Sequence, residues 1–94
     1  MNEVFLIGKI VTNIEFKFII NNKYKKSIVM FNIQTPDMQI VKLKAYNETA
    51  DYIYRSFKKD NYVFCYGSLN DKFVKIDSIK SFDITNYIWY NFIS

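Results

Sequence analysis

Residues 40–69 read IVKLKAYNETADYIYRSFKKDNYVFCYGSL, two alternating apolar runs on either side of a short amphipathic segment. Side chains of a strand point alternately to its two faces. The first run therefore places Val41, Leu43 and Ala45 on one side and Lys42, Lys44 and Tyr46 on the other. Ala50, Ile53, Tyr54 and Phe57 then recur at the spacing of a single helical face. Asn47 suits an N-cap. Glu48 and Asp51 at the start, with Arg55, Lys58 and Lys59 at the end, match the helix dipole. The pattern predicts a helix of about ten residues, ended by Asp60 and Asn61. In the second run Val63, Cys65 and Leu69 share a face with Gly67, and Tyr62, Phe64 and Tyr66 share the other.

Working outward, residues 2–11 open with VFLIG, apolar on both faces, as a strand deep in a small barrel would be. Residues 14–20 alternate, with Phe16 and Phe18 opposite Glu15 and Lys17. Gly8 marks a bulge or bend, so the two parts read as one long strand bent between Gly8 and Asn13. Asn21 to Lys26, NNKYKK, is a turn, because asparagine tolerates left-handed backbone. Residues 27–34 form a second strand with Val29, Phe31 and Ile33 inward. Pro36 marks a turn at 35–37. The third strand is 38–46 and the fourth 62–70. A short turn, 70–72, leads to a fifth strand at 73–82 with Val74 and Ile76 inward. The order β-β-β-α-β-β predicts an all-β fold with one helix, a five-stranded OB-fold Greek-key barrel whose helix lies between strands 3 and 4. An SH3-like barrel would lack the long helix, and a ferredoxin-like fold would need a second one. Residues 1–83 are read as this domain. Residues 84–94 are read as an apolar extension that packs on the barrel or at a subunit interface.

Ninety-four residues, 50% apolar, make one small domain with a thin core. Eight Tyr and nine Phe exceed what such a core holds, so some rings belong at a surface or a partner. A formal charge of +4 favours a polyanionic partner. The absence of His and the single Cys argue against zinc sites, His-based acid–base catalysis and internal disulfides. Cys65, between Phe64 and Tyr66, reads as a core thiol. The carboxylates are scattered and no glycine-rich loop is present, so the chain is read as a non-enzyme without metal or cofactor. The sequence shows no signal-peptide pattern and no membrane-spanning run, and the expected location is cytoplasmic.

NEVFLIGKI, SIVMFNIQT and VKLKAYNETADYIYRSFKKDNYVFCYGSL together resemble the bacterial single-stranded DNA-binding proteins and their smaller primosomal relatives. The likeness covers residues 2–82. It rests on the ordered set of strand ends and on the spacing across the helix, and no single motif carries it. The resemblance implies sequence-tolerant binding of single-stranded DNA by a barrel that works as a homo-oligomer, a dimer or tetramer. It implies that Tyr46 stacks a base, that Lys42 lies on the binding strand, and that Lys9 faces the groove. Three departures stand out. Ile40 occupies a position where the family has a second ring. The turn at 70–72 is too short for the family's DNA-gripping arm, leaving Phe73 as a stand-in. The acidic tail that recruits partners is missing, so no recruitment through an acidic tip is expected.

Two cations and a ring on one exposed sheet face suit single-stranded nucleic acid, because phosphates meet the cations and a base stacks on the ring. The same lysines could equally be a solvated face that blocks aggregation. Tyr24 and Lys25 join the candidate set as part of the basic turn, which could also be an ordinary soluble turn. The candidate nucleic-acid-binding residues are thus Lys9, Tyr24, Lys25, Lys42, Lys44, Tyr46 and Phe73. RNA is the competing polymer. The competing function is an OB-fold protein-interaction module of a replication or conjugation complex. Tyr62, Phe64 and Tyr66 are read as packing against another subunit or the C-terminal segment.

Overall fold

A computed structural model describes residues 2–82. The expected extension at 84–94 lies outside the described residues. Six strands and one helix follow in the order β1 (Glu3–Ile10), β2 (Glu15–Ile20), β3 (Lys25–Gln34), β4 (Ile40–Tyr46), α1 (Asn47–Ser56), β5 (Tyr62–Leu69) and β6 (Val74–Ser81). The sheet order is β1-β5-β6-β4-β3-β2, and an additional β1–β3 pairing closes β1, β5, β6, β4 and β3 into a barrel. This is the five-stranded OB-fold barrel that the element order predicts.

The strand count needs a correction. The long first strand is two strands, so the helix lies between β4 and β5 rather than between strands 3 and 4. The physical reason lies in the register with β3. Pairing with β1 stops at Ile10↔Ile33 and pairing with β2 restarts at Glu15↔Met30, so four residues, 11–14, stand opposite two, 31–32. The excess is absorbed by a bulge. Val11 N–H still donates to Asn32 O at 2.9 Å. Asn32 N–H donates to the Thr12 hydroxyl at 2.8 Å, a side chain replacing a ladder carbonyl. The bend thus falls after Ile10. Gly8 is not its hinge: it sits inside β1, where β1 passes from β5 to the end of β3. A Cβ there would lie 2.6 Å from Gln34 O.

Val29, Phe31, Ile33, Leu43, Ala45, Val63, Cys65, Val74 and Ile76 fill the barrel as the alternation predicts. Midway along β6 the phase changes. Gly67 pairs with Ile76 but Tyr66 pairs with Ser78, leaving Asp77 as an extra residue. One extra residue returns Ile79, instead of Ser78, to the core. Gly67 makes this possible. A Cβ on it would lie 1.9 Å from Lys75 O, inside van der Waals contact. Its φ is not positive, so close approach rather than backbone conformation requires glycine.

Helix α1 plugs one end of the barrel. Ala50 and Ile53 are fully buried and Phe57 closes the rim. Tyr54, expected on the same face, is exposed and rests its ring 4.8 Å from that of Phe16. The N-cap is Tyr46, in extended backbone and without a side-chain cap bond, rather than Asn47. Asn47 instead takes the left-handed conformation, φ 55°, at the strand-to-helix corner, and its Oδ1 accepts from Ser27 N–H at 3.4 Å. Beyond the helix, Asp60 N–H donates to Ile10 O and Ile10 N–H donates to Asn61 O, tying the loop to the end of β1.

Burial pushes the Cys65 thiol from its ordinary 9.0 up to about 12. The folded value lies above the unfolded one, so the neutral buried thiol contributes stability in full below the unfolded value. That contribution is lost as pH rises through the folded value. At about pH 9 iodoacetamide should therefore label the folded protein far more slowly than the urea-unfolded chain. Gly67→Ala should lower stability by about 3 kcal/mol, the upper end of overpacking costs, read as a drop in the urea midpoint. An unchanged midpoint would contradict the close approach.

Candidate nucleic-acid interface

Ladder partners share a face, so register decides which cations meet. The β3–β4 register pairs Tyr46 with Ile28, Lys44 with Met30 and Lys42 with Asn32. The β2–β3 register adds Lys17 beside Ile28 and Ile19 beside Lys26. The short parallel β4–β6 contact sets Lys75 beside Lys44. Lys17, Lys26, Lys42, Lys44 and Lys75 thus occupy one outer face, turned away from the core residues that alternate with them. Among the described residues none of these five ammonium groups has a carboxylate within 4 Å; the ion pair present is Lys9–Asp60 at 3.6 Å. Glu15, at the start of β2 beside Met30, is the carboxylate of this face. Like charges directly across a ladder repel, so the Lys44–Lys75 pair favours an anion between them.

Two rings lie within this stripe, and each carries a cation. Lys26 Nζ sits 4.6 Å from the Tyr46 ring centroid, and Lys44 Nζ sits 4.3 Å from that of Phe73. Neither ring is fully buried. Lys44 therefore stands between the strand that carries Tyr46 and the turn that carries Phe73. Thr12, Asn13, Glu15, Met30, Asn32 and Lys42 line a shallow groove beside the stripe.

The structure brings together Lys42, Lys44, Tyr46 and Phe73 from the sequence-based set. It separates the others. Lys25 pairs with Ile20 and alternates with Lys26, so it lies on the opposite face of the hairpin. Tyr24 is exposed in the turn, where Asn21 Oδ1 accepts from Lys23 N–H at 2.8 Å and from Tyr24 N–H at 2.9 Å. Lys9 is held by Asp60 and lies 6.0 Å from the Tyr62 ring centroid. Lys26, Lys17 and Lys75 were not in the set. Counting by twos from Val29 would have assigned Lys26 to the outer face and Lys25 to the inner one. Lys75 needed the barrel closure, which no local pattern shows.

Around the barrel lies a second, apolar outer face. Phe5, Ile7 and Lys9 of β1 stand opposite Tyr66, Phe64 and Tyr62 of β5. The Phe5 and Phe64 rings are 5.7 Å apart, and Phe82 meets Phe64 edge-on at 6.2 Å. A hydrogen bond to Glu3 holds the Tyr66 phenol above its ordinary pKa, with Asp77 adding repulsion. Among the described residues no group of three or more His, Cys, Asp or Glu side chains could hold a metal ion. No helix there is long and apolar enough to cross a membrane.

The outer-face assignment of Tyr46 has a direct consequence for stability. Tyr46→Ala should change the unfolding free energy by no more than about 1 kcal/mol, measured by urea titration. A loss of several kcal/mol would mean that the ring supports the fold.

No protein-family model matches the sequence, and no curated protein matches it. Solved structures do. The SSB domain of a Synechococcus protein superposes with a TM-score of 0.74 at 14% identity, over 84% of this chain and 93% of that one. A deletion mutant of the single-stranded DNA binding protein from Thermus aquaticus superposes at 0.76 and 15% identity, over 88% of this chain and 42% of that one. A chain of a Replication Protein A heterotrimer bound to ssDNA superposes at 0.71 and 12% identity, over 92% of this chain and 23% of that one. At these identities the likeness shows the fold: an OB barrel of the form found in SSB proteins.

Proposed function

We propose that this barrel binds single-stranded DNA with little regard to sequence and without catalysing a reaction. The observation that carries the reading is the stripe Lys17, Lys26, Lys42, Lys44 and Lys75, without a carboxylate within 4 Å among the described residues and interleaved with Tyr46 and Phe73. The OB folds of SSB and Replication Protein A chains support it by analogy.

The mechanism follows from magnitudes. An exposed cation–π contact is worth roughly 0.5–1 kcal/mol, whereas stacking a base on a ring is worth roughly 1–3 kcal/mol. A base arriving at Tyr46 or Phe73 therefore displaces its lysine with a net gain. The freed ammonium then takes a phosphate, so each ring–cation pair is converted into a stacked base and a neutralised phosphate. Counterions released from the strand add to affinity at low salt. Because every base has a π-face, sequence matters little. Ile40, 56% exposed where a further ring would extend the platform, makes a short footprint. The reading includes a homo-oligomer of two or four chains, for which Phe18 and Ile20, exposed on the inner side of the β2–β3 hairpin, offer apolar surface.

Titration of oligo-dT against salt tests the proposal. Binding should weaken steeply as salt rises. Tyr46→Ala should weaken it roughly 5- to 150-fold, the range of one lost stack. Lys26→Ala, Lys42→Ala and Lys44→Ala should each reduce the slope of log affinity against log salt by about 0.7, while Lys25→Ala should leave it unchanged. Equal effects from Lys25 and Lys26 would refute the face assignment. No binding at micromolar protein and low salt would refute the function and leave the protein-interaction module as the reading. An oligo-rU competitor that displaces oligo-dT at equal concentration would replace DNA with RNA as the polymer.

A further inference from the structure

Glu15 is a carboxylate set among cations. It opens β2 opposite Met30, whose other ladder partner is Lys44, and Lys44 in turn stands beside Lys75. Glu15 is exposed, and among the described residues its carboxylate has no cation within 4 Å and no hydrogen-bond donor. On a face that binds phosphates an unpaired carboxylate works against affinity, because like charges repel. It contributes to binding only by accepting a hydrogen bond from the strand, and in DNA the N–H donors are all on the bases. Beside Glu15 lies the shallow groove lined by Thr12, Asn13, Met30, Asn32 and Lys42, about 420 Å³ in volume. Thr12 Oγ1 accepts from Asn32 N–H, which fixes the Asn32 backbone, while the half-buried Asn32 side-chain amide has no partner among the described residues. Lys42 is the ladder partner of Asn32 and stands ready for a phosphate.

We propose that this groove takes one base of the bound strand by its Watson–Crick edge and favours guanine. The inference rests on the single-strand binding proposed above and adds a preference at one nucleotide, while the stacked positions stay indifferent to sequence. Guanine presents two adjacent donors at that edge, N1–H and the 2-amino group, and one acceptor, O6. An ionised carboxylate has acceptors only, and two of them, so it takes both donors in charge-assisted hydrogen bonds. The Asn32 amide supplies a donor for O6, and Met30 supplies apolar surface for the ring. Adenine and cytosine offer a single amino group at the same edge. Thymine offers one N–H between two carbonyls, which would meet the carboxylate oxygen to oxygen. The position suits a nucleotide next to the one stacked on Tyr46. Ile28 is the ladder partner of Tyr46, and Met30 and Asn32 follow it along β3 at about 7 and 13 Å.

Fluorescence anisotropy at one fixed salt concentration tests the subsite, with a labelled oligo-dT and the same strand carrying guanine at every third position. The guanine strand should bind roughly 5- to 150-fold tighter, the range of one bidentate base contact. Adenine at the same positions offers an equal stacking face and should recover little of that gain. Inosine keeps N1–H and O6 but lacks the 2-amino group, and should lose most of it. Glu15→Gln should bring the guanine and adenine strands level while tightening oligo-dT, because a repulsive charge is removed. Asn32→Ala should reduce the preference. Glu48→Gln makes the same charge change on α1, beside Tyr52 and Asp77, and should leave the ratio unaltered. Urea midpoints confirm that the variants are folded. A guanine strand that binds no better than the adenine strand would overturn the subsite and leave single-strand binding standing. So would a preference that survives Glu15→Gln. Absence of binding to every strand would remove the single-strand reading and the subsite together.

Discussion

Closure of the barrel depends on how β1 shares its backbone hydrogen bonds. Along most of its length it pairs with β5, and at Lys9 and Ile10 it also pairs with the end of β3. Two strands that converge on one leave little room for side chains at the crossing, and Gly8 sits there with Gln34 O where a Cβ would approach. At the opposite seam, the two-pair parallel contact of β4 with β6 is equally short, and the bulge at Gly67 curls β6 towards it. The two glycines thus stand at the two positions where the sheet must bend hardest to close on itself. Once it is closed, the end that faces the helix needs a cap. Ala50 and Ile53 supply it, and the hydrogen bonds among Ile10, Asp60 and Asn61 fix the helix exit to the same strand that closes the sheet.

Closure also decides the electrostatics. Lys44 and Lys75 are far apart along the chain and become neighbours only because β4 meets β6. Lys42 and Lys26 join them through the β3 register. The cationic stripe is a property of the closed barrel and of no single strand. The apolar β1–β5 face lies on other strands, so a surface suited to a polyanion and an apolar surface are kept apart on a very small body.

Much of this was legible in the residues. Alternation identified the inward positions in the middle of β3, β4 and β5, where one face is buried, while Leu69 at the end of β5 is exposed and Val41 at the start of β4 is partly buried. The i, i+3, i+7 pattern of Ala50, Ile53 and Phe57 identified the plug. What misled was local chemistry under tertiary control. Asn47 has the side chain of an N-cap, but the tight corner after Tyr46 needs a left-handed residue, and asparagine serves that need first. Tyr54 fits the helical face by spacing, yet it stays exposed and its ring packs against Phe16. In the site, Lys42, Lys44 and Tyr46 were visible because one strand carries them. Lys26 was confused with Lys25 because a turn hides the parity of the strand that follows, and Lys75 was invisible without the closure.

The two irregularities of the sheet differ in arithmetic. In β6 one residue is surplus, and everything after Asp77 changes sides. Between β1 and β2 the surplus is two, four residues facing two. An even surplus conserves parity, so Lys17 and Ile19 emerge on the same side as the strand before the break had assigned to Lys9. Insertions or deletions in the 11–14 segment are therefore quantised for this chain. A change of two residues would lengthen or shorten the connection while keeping Lys17 outward, whereas a change of one would exchange the faces of Lys17 and Phe16 and lose the Phe16–Tyr54 contact.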